Sequence, residues 1–305
     1  MNPPPKTNPT FQVTAHAKWI LAGEHAVLRG HPALVFPVPE KFIKLTFQSS
    51  ENPLNVDFLG PYGDTLLLIF WGILEESLKL IHKRHEDMRG KFTLLNNIPM
   101  GAGMGFSAAL CVAVSRWIQW SGWIKENELF DFARTLENFF HGKSSGVDIA
   151  GALCQQATYF TQAQGFSSLQ LTWRPNIFLS YSEKISMTAQ CIDKVNKLWE
   201  TNATLADKLD NSMRDSVEQA KLSLTSNNLS PSKKEAYLAA AINKANDCFE
   251  HWGLNKGELK EHIDQLMQHG ALAAKATGAG NGGYVISLWK QAPKKDIPFN
   301  MTKVV

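Results

Sequence analysis

Cysteine is scarce: there are four in 305 residues, and Cys111, Cys154, Cys191 and Cys248 lack the close pairing of a metal site. That excludes a zinc module and a disulfide framework, and it predicts buried free thiols in a reducing compartment. Long apolar runs are also missing. The strongest, residues 66–74, is about half of what a bilayer crossing needs, so no membrane partner is expected. Charge of one sign is nowhere concentrated. The net charge is +3, and the basic residues are scattered, with short pairs at Lys233/Lys234 and Lys294/Lys295. That excludes the continuous basic face that nucleic acid selects. Residues 1–10 are rich in Pro and Asn without an apolar core, and they read as a flexible arm, not a secretion signal. No internal repeat or low-complexity tract is seen beyond them. What remains is 44% hydrophobic and 19% charged. This is the composition of a soluble globular chain of one large or two modest domains, expected in the cytoplasm.

Glycine, by contrast, is concentrated. Pro99, Met100, Gly101, Ala102, Gly103, Met104 and Gly105 lead into Phe106, Ser107, Ala108 and Ala109, between a strand-like run at 91–96 and a helix-like run at 108–120. Closely spaced glycines let backbone N–H groups surround an anion where a Cβ would intrude. The following helix directs unpaired N–H groups and its positive dipole end to the same place. That is the composition of a phosphate cradle. It is not a Walker turn, because no lysine precedes Ser107, nor a dinucleotide or protein-kinase turn, which need glycine at position 106. The second turn, Gly278, Ala279, Gly280, Asn281, Gly282 and Gly283, fits G-x-G-x-x-G literally but leads into a strand-like run at 284–289. Only about twenty residues follow, too few for a dinucleotide fold. A tight loop is the plain alternative for either turn taken alone.

Hydrophobic periodicity predicts strands at 11–21, 33–38, 41–48, 91–96, 157–162, 169–173 and 177–181, and helices at 66–85, 108–120, 126–140 and 145–154. Beyond a composition shift at 174–183, long helices are expected at 184–224 and 233–252, parted by a breaker-rich loop that ends in a helix cap. A helix at 256–269, a short strand and the second glycine turn follow. The expected class is α+β: an arm at 1–10, an α/β domain with the phosphate turn at 11–175, and a helix-rich α+β domain at 176–305.

Charged residues in apolar settings mark the chemistry. His16, Lys18, Glu24 and His25 lie in an otherwise apolar strand and turn, where unpaired charge is costly. His141, Gly142, Lys143, Ser144, Ser145, Gly146, Val147 and Asp148 form a polar turn opening a helix, and Glu137 lies near the end of the helix before it. The run at 18–27, the turn at 99–109 and the segment 275–283, in that order, resemble the three motifs of the GHMP kinase superfamily (galactokinase, homoserine kinase, mevalonate kinase, phosphomevalonate kinase). The runs at 23–27 and 141–148 are most similar to those of mevalonate kinases. Together the matches span nearly the whole chain.

The resemblance implies a two-domain GHMP kinase fold and ATP- and Mg²⁺-dependent phosphorylation of the primary hydroxyl of mevalonate, a small-molecule substrate of isoprenoid precursor synthesis. It implies that Asp148 is the base and that Lys18 beside it keeps that carboxylate ionised. It further implies that Pro99, Gly101, Ala102, Gly103, Gly105, Ser107 and Ala108 wrap the ATP phosphates, and that Gly278, Ala279 and Gly280 close over them. Ser107 and Glu137 would hold Mg²⁺, a cation that takes hard oxygens. Glu24, His25, Ser145 and Gly146 would contact the substrate. Plainer alternatives stand beside these roles: Asp148 or Ser107 as a helix cap, Lys18 snorkelling from a strand, Glu137 on a solvent face, and His25 as a core histidine paired with Glu24.

The chain departs from the family pattern in four places. His16 and Ala17 stand for Pro-Gly, Phe106 for a serine, Ser144 for a proline, and Asn281 interrupts glycines. A phosphomevalonate kinase would call for extra cations, for which Lys143 and Arg29 are the candidates. Outside enzymes, the reading is a silent nucleotide-binding sensor. A homodimer is one admissible assembly.

Overall fold

The structure, a computed structural model, describes residues 10–142, 144–294 and 297–305. Residues 1–9 of the expected arm and Lys143 therefore lie outside the described residues. In chain order the elements are β1 (Thr10–Ala22), β2 (Ala33–Pro53), β3 (Asn55–Leu59), α1 (Gly63–Leu80), β4 (Arg89–Asn96), α2 (Phe106–Trp120), α3 (Leu129–His141), α4 (Val147–Leu153), β5 (Thr158–Thr161), β6 (Gly165–Ser168), β7 (Asn176–Tyr181), α5 (Thr188–Thr201), α6 (Ala203–Thr225), α7 (Pro231–His251), α8 (Glu258–Gln268), β8 (Ala273–Ala276), β9 (Tyr284–Trp289) and β10 (Thr302–Lys303). They fall into two compact units drawn from interleaved stretches. Among the described residues, the first comprises those up to Ala17 with Pro39–Ile98 and Phe106–Ser144, and the second comprises those of Lys18–Val38, Pro99–Gly105 and Ser145–Val305.

In the first unit β4 is central. It pairs antiparallel with β2 (Ile43 opposite Asn96, Gln48 opposite Lys91) and parallel with β3 (Asn55 opposite Lys91, Leu59 opposite Leu95). A parallel pair needs a long crossover, which α1 supplies. Strand alternation sends Leu45, Phe47, Phe92 and Leu94 inward. Phe92 packs against Phe47, Phe70 and Trp117 at ring-centroid distances of 4.7, 5.4 and 4.8 Å. On α3, Leu129, Ala133 and Leu136 form a buried stripe at helical spacing, and the next position on that face is Glu137.

In the second unit the start of β2 pairs with β5, and β5 with β6 in a hairpin. A separate antiparallel sheet has the order β10-β7-β9-β8, with α7 and α8 packed on β8 and α6 on α7.

Three sequence expectations are corrected here. The helix expected at 184–224 is two helices, because Asn202 turns out of helical geometry and its side chain accepts the Leu205 N–H at 3.1 Å, capping α6. Residues 184–187 are not helical at all; their backbone is spent elsewhere, as described below. The strand expected at 169–173 is at β6 instead. Thr172 N–H and Trp173 Nε1–H donate to the carbonyls of Leu224 and Ser223, both at 2.9 Å, satisfying acceptors that a helix end leaves orphaned. The cap expected before α7 is Ser230, with Pro231 at the first helical position.

Cys111, Cys191 and Cys248 are buried free thiols and Cys154 is half-buried. Among the described residues no helix is long and apolar enough to cross a membrane.

On β7, buried Ser180 Oγ lies 2.7 Å from His262 Nε2 of α8, and that ring stacks on Phe299 at 3.8 Å. Burial lowers the His262 pKa from 6.5 to about 4. The folded protein therefore declines a proton that the unfolded chain accepts, so stability is full above pH 6.5 and falls as pH drops toward 4. At pH 4 this one group costs up to about 3 kcal/mol. Urea titrations of His262→Gln, which keeps a polar partner for Ser180, should show a shallower loss between pH 6.5 and 4 than wild type. Parallel curves would remove His262 as the cause.

Candidate functional site

The second unit brings together the Lys18 run, the first glycine turn, Asp148 and the second glycine turn. β1 carries Lys18 inward to 1% exposure. Its Nζ lies 2.9 Å from Asp148 Oδ1 and donates to Gly103 O at 3.1 Å, while its main-chain N–H donates to Met104 O at 3.0 Å. This is a seated cation, not a snorkelling one. Glycines make room for its stem: a Cβ on Gly105 would lie 2.8 Å from Lys18 Cε, and one on Gly151 would lie 2.9 Å from Lys18 Cβ. Asp148 stands in the first turn of α4 behind Gly146 (φ +87°), and its side chain is 31% exposed. One carboxylate thus meets the buried ammonium while staying partly open. Ser145, beside it, accepts the Val147 N–H at 3.3 Å.

In the first glycine turn, Gly101, Gly103 and Gly105 adopt φ of +71°, +79° and +72°. The carbonyls are drawn into the protein: Gly101 O accepts Ser186 N–H, Gly103 O accepts Lys18 Nζ, and Met104 O accepts Lys18 N–H. Among the described residues the N–H groups of 101–105 have no protein acceptor. Backbone donors rarely go unpaired, and a run of them in a glycine turn is an anion-binding concavity.

The second turn backs directly onto the first. A Cβ on Gly278 would lie 3.2 Å from Gly103 O, and one on Gly283 would lie 2.7 Å from Ala102 O. Thr277 Oγ1 ties the approach to β1, accepting Ile20 N–H at 2.7 Å and donating to Ile20 O at 3.0 Å. Asn281, the departure from glycine, sits at φ +63°, a region that asparagine tolerates better than most residues.

Glu24 and His25 lie in the turn after β1. Ala26 N–H reaches back to Glu24 O at 2.6 Å around His25 at φ +60°, ψ −49°. This is a strained γ-turn of the kind that functional sites retain. His25 does not pair with Glu24. Its Nε2 lies 2.9 Å from Ala279 O in the second glycine turn, with Phe249 and Trp252 edge-on at 5.9 and 5.3 Å. Burial is the main reason its pKa drops to about 4, so at neutral pH the ring is uncharged and donates Nε2–H to that carbonyl. Glu24 pairs instead with Lys275 of β8 at 2.6 Å, the side chains 2% and 0% exposed. Burial raises the Glu24 pKa and lowers that of Lys275, each opposed by the other's charge.

Arg29 forks onto the fully buried Asp210 carboxylate (Nη2 to Oδ1 2.7 Å) and lies over the Trp199 ring. Its charge is therefore already matched. Lys143, the other candidate for a second phosphate, is outside the described residues.

The remaining predicted residues belong to the first unit. Phe106, Ser107 and Ala108 open α2. Glu137 is 1% exposed, so it is an interior carboxylate and not a solvent-facing one. It accepts the Ser144 hydroxyl, and Ser144 N–H donates to Asn138 Oδ1 at 2.7 Å. Proline at 144 would supply neither bond. No cluster of three or more His, Cys, Asp or Glu able to hold a metal occurs among the described residues. A hydroxyl and one carboxylate nevertheless suit Mg²⁺, which keeps waters and takes phosphate oxygens for its other positions.

Lys275 and Ser186 were not singled out from the sequence. A lysine in the otherwise apolar stretch Ala271, Leu272, Ala273, Ala274 could have signalled a buried pair. Ser186 carried no signal.

Residues 71–156 match the family described as GHMP kinases N terminal domain. A mevalonate kinase of Thermococcus sibiricus is 28% identical over 308 residues, covering 92% of this chain and 89% of that protein. Two solved structures are similar in fold. One is an L. major mevalonate kinase in complex with R-mevalonate, with TM-score 0.76, 22% identity, and 95% and 90% of the two chains covered. The other is the Methanococcus jannaschii mevalonate kinase, with TM-score 0.75, 16% identity, and 99% and 100% covered.

Proposed function

We propose that the chain is a GHMP kinase, as the match of residues 71–156 to that family's N-terminal domain supports, and that it transfers a phosphoryl group from ATP to the primary hydroxyl of mevalonate. One observation carries the reading: a single buried ammonium, Lys18 Nζ, touches both a half-open carboxylate, Asp148, and the carbonyl of Gly103 in the phosphate turn. A proton acceptor and an anion cradle sharing one cation are what transfer to an alcohol requires. Phosphoryl transfer is catalysed mainly by positioning and charge neutralisation.

Asp148 accepts the hydroxyl proton of the substrate. Lys18 Nζ, 2.9 Å from Asp148 Oδ1, orients that carboxylate and offsets negative charge that builds beside Gly103. The amides of 101–105 hold phosphate oxygens, and the second glycine turn backs them. Ser107 and Glu137 are the residues that would hold Mg²⁺, which when bound neutralises phosphate charge; the Ser144 hydroxyl fixes the orientation of Glu137. His25 and the turn at 145–146 are assigned to the substrate. Glu24, sequestered by Lys275, ties the turn after β1 to β8 instead.

An ADP-release assay with Mg·ATP, run on mevalonate and phosphomevalonate in parallel, tests the proposal. Turnover of mevalonate alone is expected, since Arg29 is committed to Asp210. Preference for phosphomevalonate, or ATP binding with no turnover of either alcohol, would overturn it.

A further inference from the structure

The segment 182–187, between β7 and α5, belongs to none of the motifs discussed above, yet it is laced to both glycine turns. Ser186 N–H donates to Gly101 O at 3.1 Å, and Ser186 Oγ donates to Gly280 O at 2.6 Å. Gly283 N–H donates to Lys184 O at 2.7 Å. Ser182 donates twice to Gly283 O, from N–H at 3.0 Å and from Oγ at 2.7 Å. The packing is as close as glycine allows: a Cβ on Gly282 would lie 2.8 Å from Lys184 O, and one on Gly101 would lie 3.0 Å from Ile185 Cγ2. Glu183 takes a left-handed φ of +59° to let the strap turn. Such a conformation persists only where the surroundings hold it.

We propose that Ser186 is a positioning residue for the nucleotide triphosphate, setting the separation of the two glycine turns through one bond to each. The proposal rests on the reading of those turns as the ATP phosphate site. With one amide and one hydroxyl, Ser186 fixes a carbonyl of each turn, so the amides of 101–105 are ordered before the anion arrives. Ordering a loop in advance lowers the free-energy cost of binding. The main-chain bond survives any substitution except proline, whereas the hydroxyl bond to Gly280 depends on the side chain. Ser186→Ala therefore separates the two.

Two measurements on the full chain decide it: calorimetric binding of a non-hydrolysable ATP analogue with Mg²⁺, and steady-state kinetics with ATP and mevalonate varied in turn. For Ser186→Ala, the Kd of the analogue and the KM for ATP should rise by about five- to tenfold, the effect of losing one short hydrogen bond. The KM for mevalonate should move less than about twofold. Ser186→Thr, which restores a hydroxyl, should return both nucleotide constants toward wild type. Unchanged nucleotide constants with a lowered melting temperature would make Ser186 merely structural and overturn the proposal. Failure of Thr to rescue would do the same. If wild type binds the analogue but turns over no alcohol, the substrate assignment fails and the Kd comparison still decides the role of Ser186. If wild type binds no nucleotide, both readings fall.

Discussion

Asp148→Asn is expected to lower kcat with mevalonate by about 10²- to 10⁴-fold, the usual contribution of a positioned general base. Asparagine keeps the size of the side chain and can still accept from Lys18 Nζ, now 2.9 Å from Oδ1, but it cannot take a proton. The Lys18 contacts to Gly103 O and Met104 O do not involve Asp148, so the first glycine turn keeps its shape. The KM for ATP should therefore stay within about threefold, and the loss should fall on kcat, as befits an interaction used only in the transition state. Far-ultraviolet circular dichroism and analogue binding would verify that the fold and the cradle are intact. A variant within threefold of wild-type kcat would remove Asp148 as the base.

The largest stability effect is expected at the Glu24–Lys275 pair. Both charges are interior, and Lys275 Nζ also lies 5.0 Å over the Phe249 ring. Truncating one partner of a buried pair strands the other, at a typical cost of about 3–5 kcal/mol. Lys275→Met should lose that much in urea unfolding near pH 7, and its loss should depend on pH. Burial already raises the Glu24 pKa, and without Lys275 only the smaller effects of a backbone hydrogen bond and the Lys18 charge oppose it. A carboxyl whose folded pKa is raised is least destabilising below its unfolded value, about 4.3, and its penalty grows as pH rises above that. The deficit of Lys275→Met should thus shrink on acidification. The double variant Glu24→Gln/Lys275→Met removes both charges and should recover most of the loss. If the double variant is as unstable as the sum of its singles, the pair does not act as a unit. Because β8 leads into the second glycine turn, nucleotide binding should weaken in the Lys275 single variant as well.

What could be read from the sequence was local chemistry. The glycines of both turns are needed at positive φ whatever the rest of the chain does, and Ser230-Pro231 marks a helix start. Lys18 stood out because a charge in an apolar setting must find a partner, and Asp148 because it closes a polar, glycine-punctuated turn that opens a helix. Their pairing came with the family resemblance and not from spacing. Where local rules compete with distant ones, the sequence misled. Residues 184–187 continue a helical pattern, but their carbonyls and amides are taken by glycine turns roughly 80 to 100 positions away. Thr172 and Trp173 look like strand residues and are spent on the end of α6.

By itself, then, the sequence determined the class of fold, the two glycine-rich turns and the chemical character of the residues around them, because backbone conformation and side-chain chemistry are set within a few residues. Only the tertiary structure decided that Glu24 meets Lys275 and not His25, that Arg29 is committed to Asp210, that the two glycine turns share one wall, and that Ser186 joins them. The physical reason is that a charge or a hydrogen-bonding group is satisfied by whatever lies within about 3 Å, and the desolvation of the interior makes that choice costly to leave unmade. Which groups come that close depends on how β1, β7, β8 and the helices pack, over separations of up to 257 residues, as between Ile20 and Thr277, and no pattern of nearby residues specifies it.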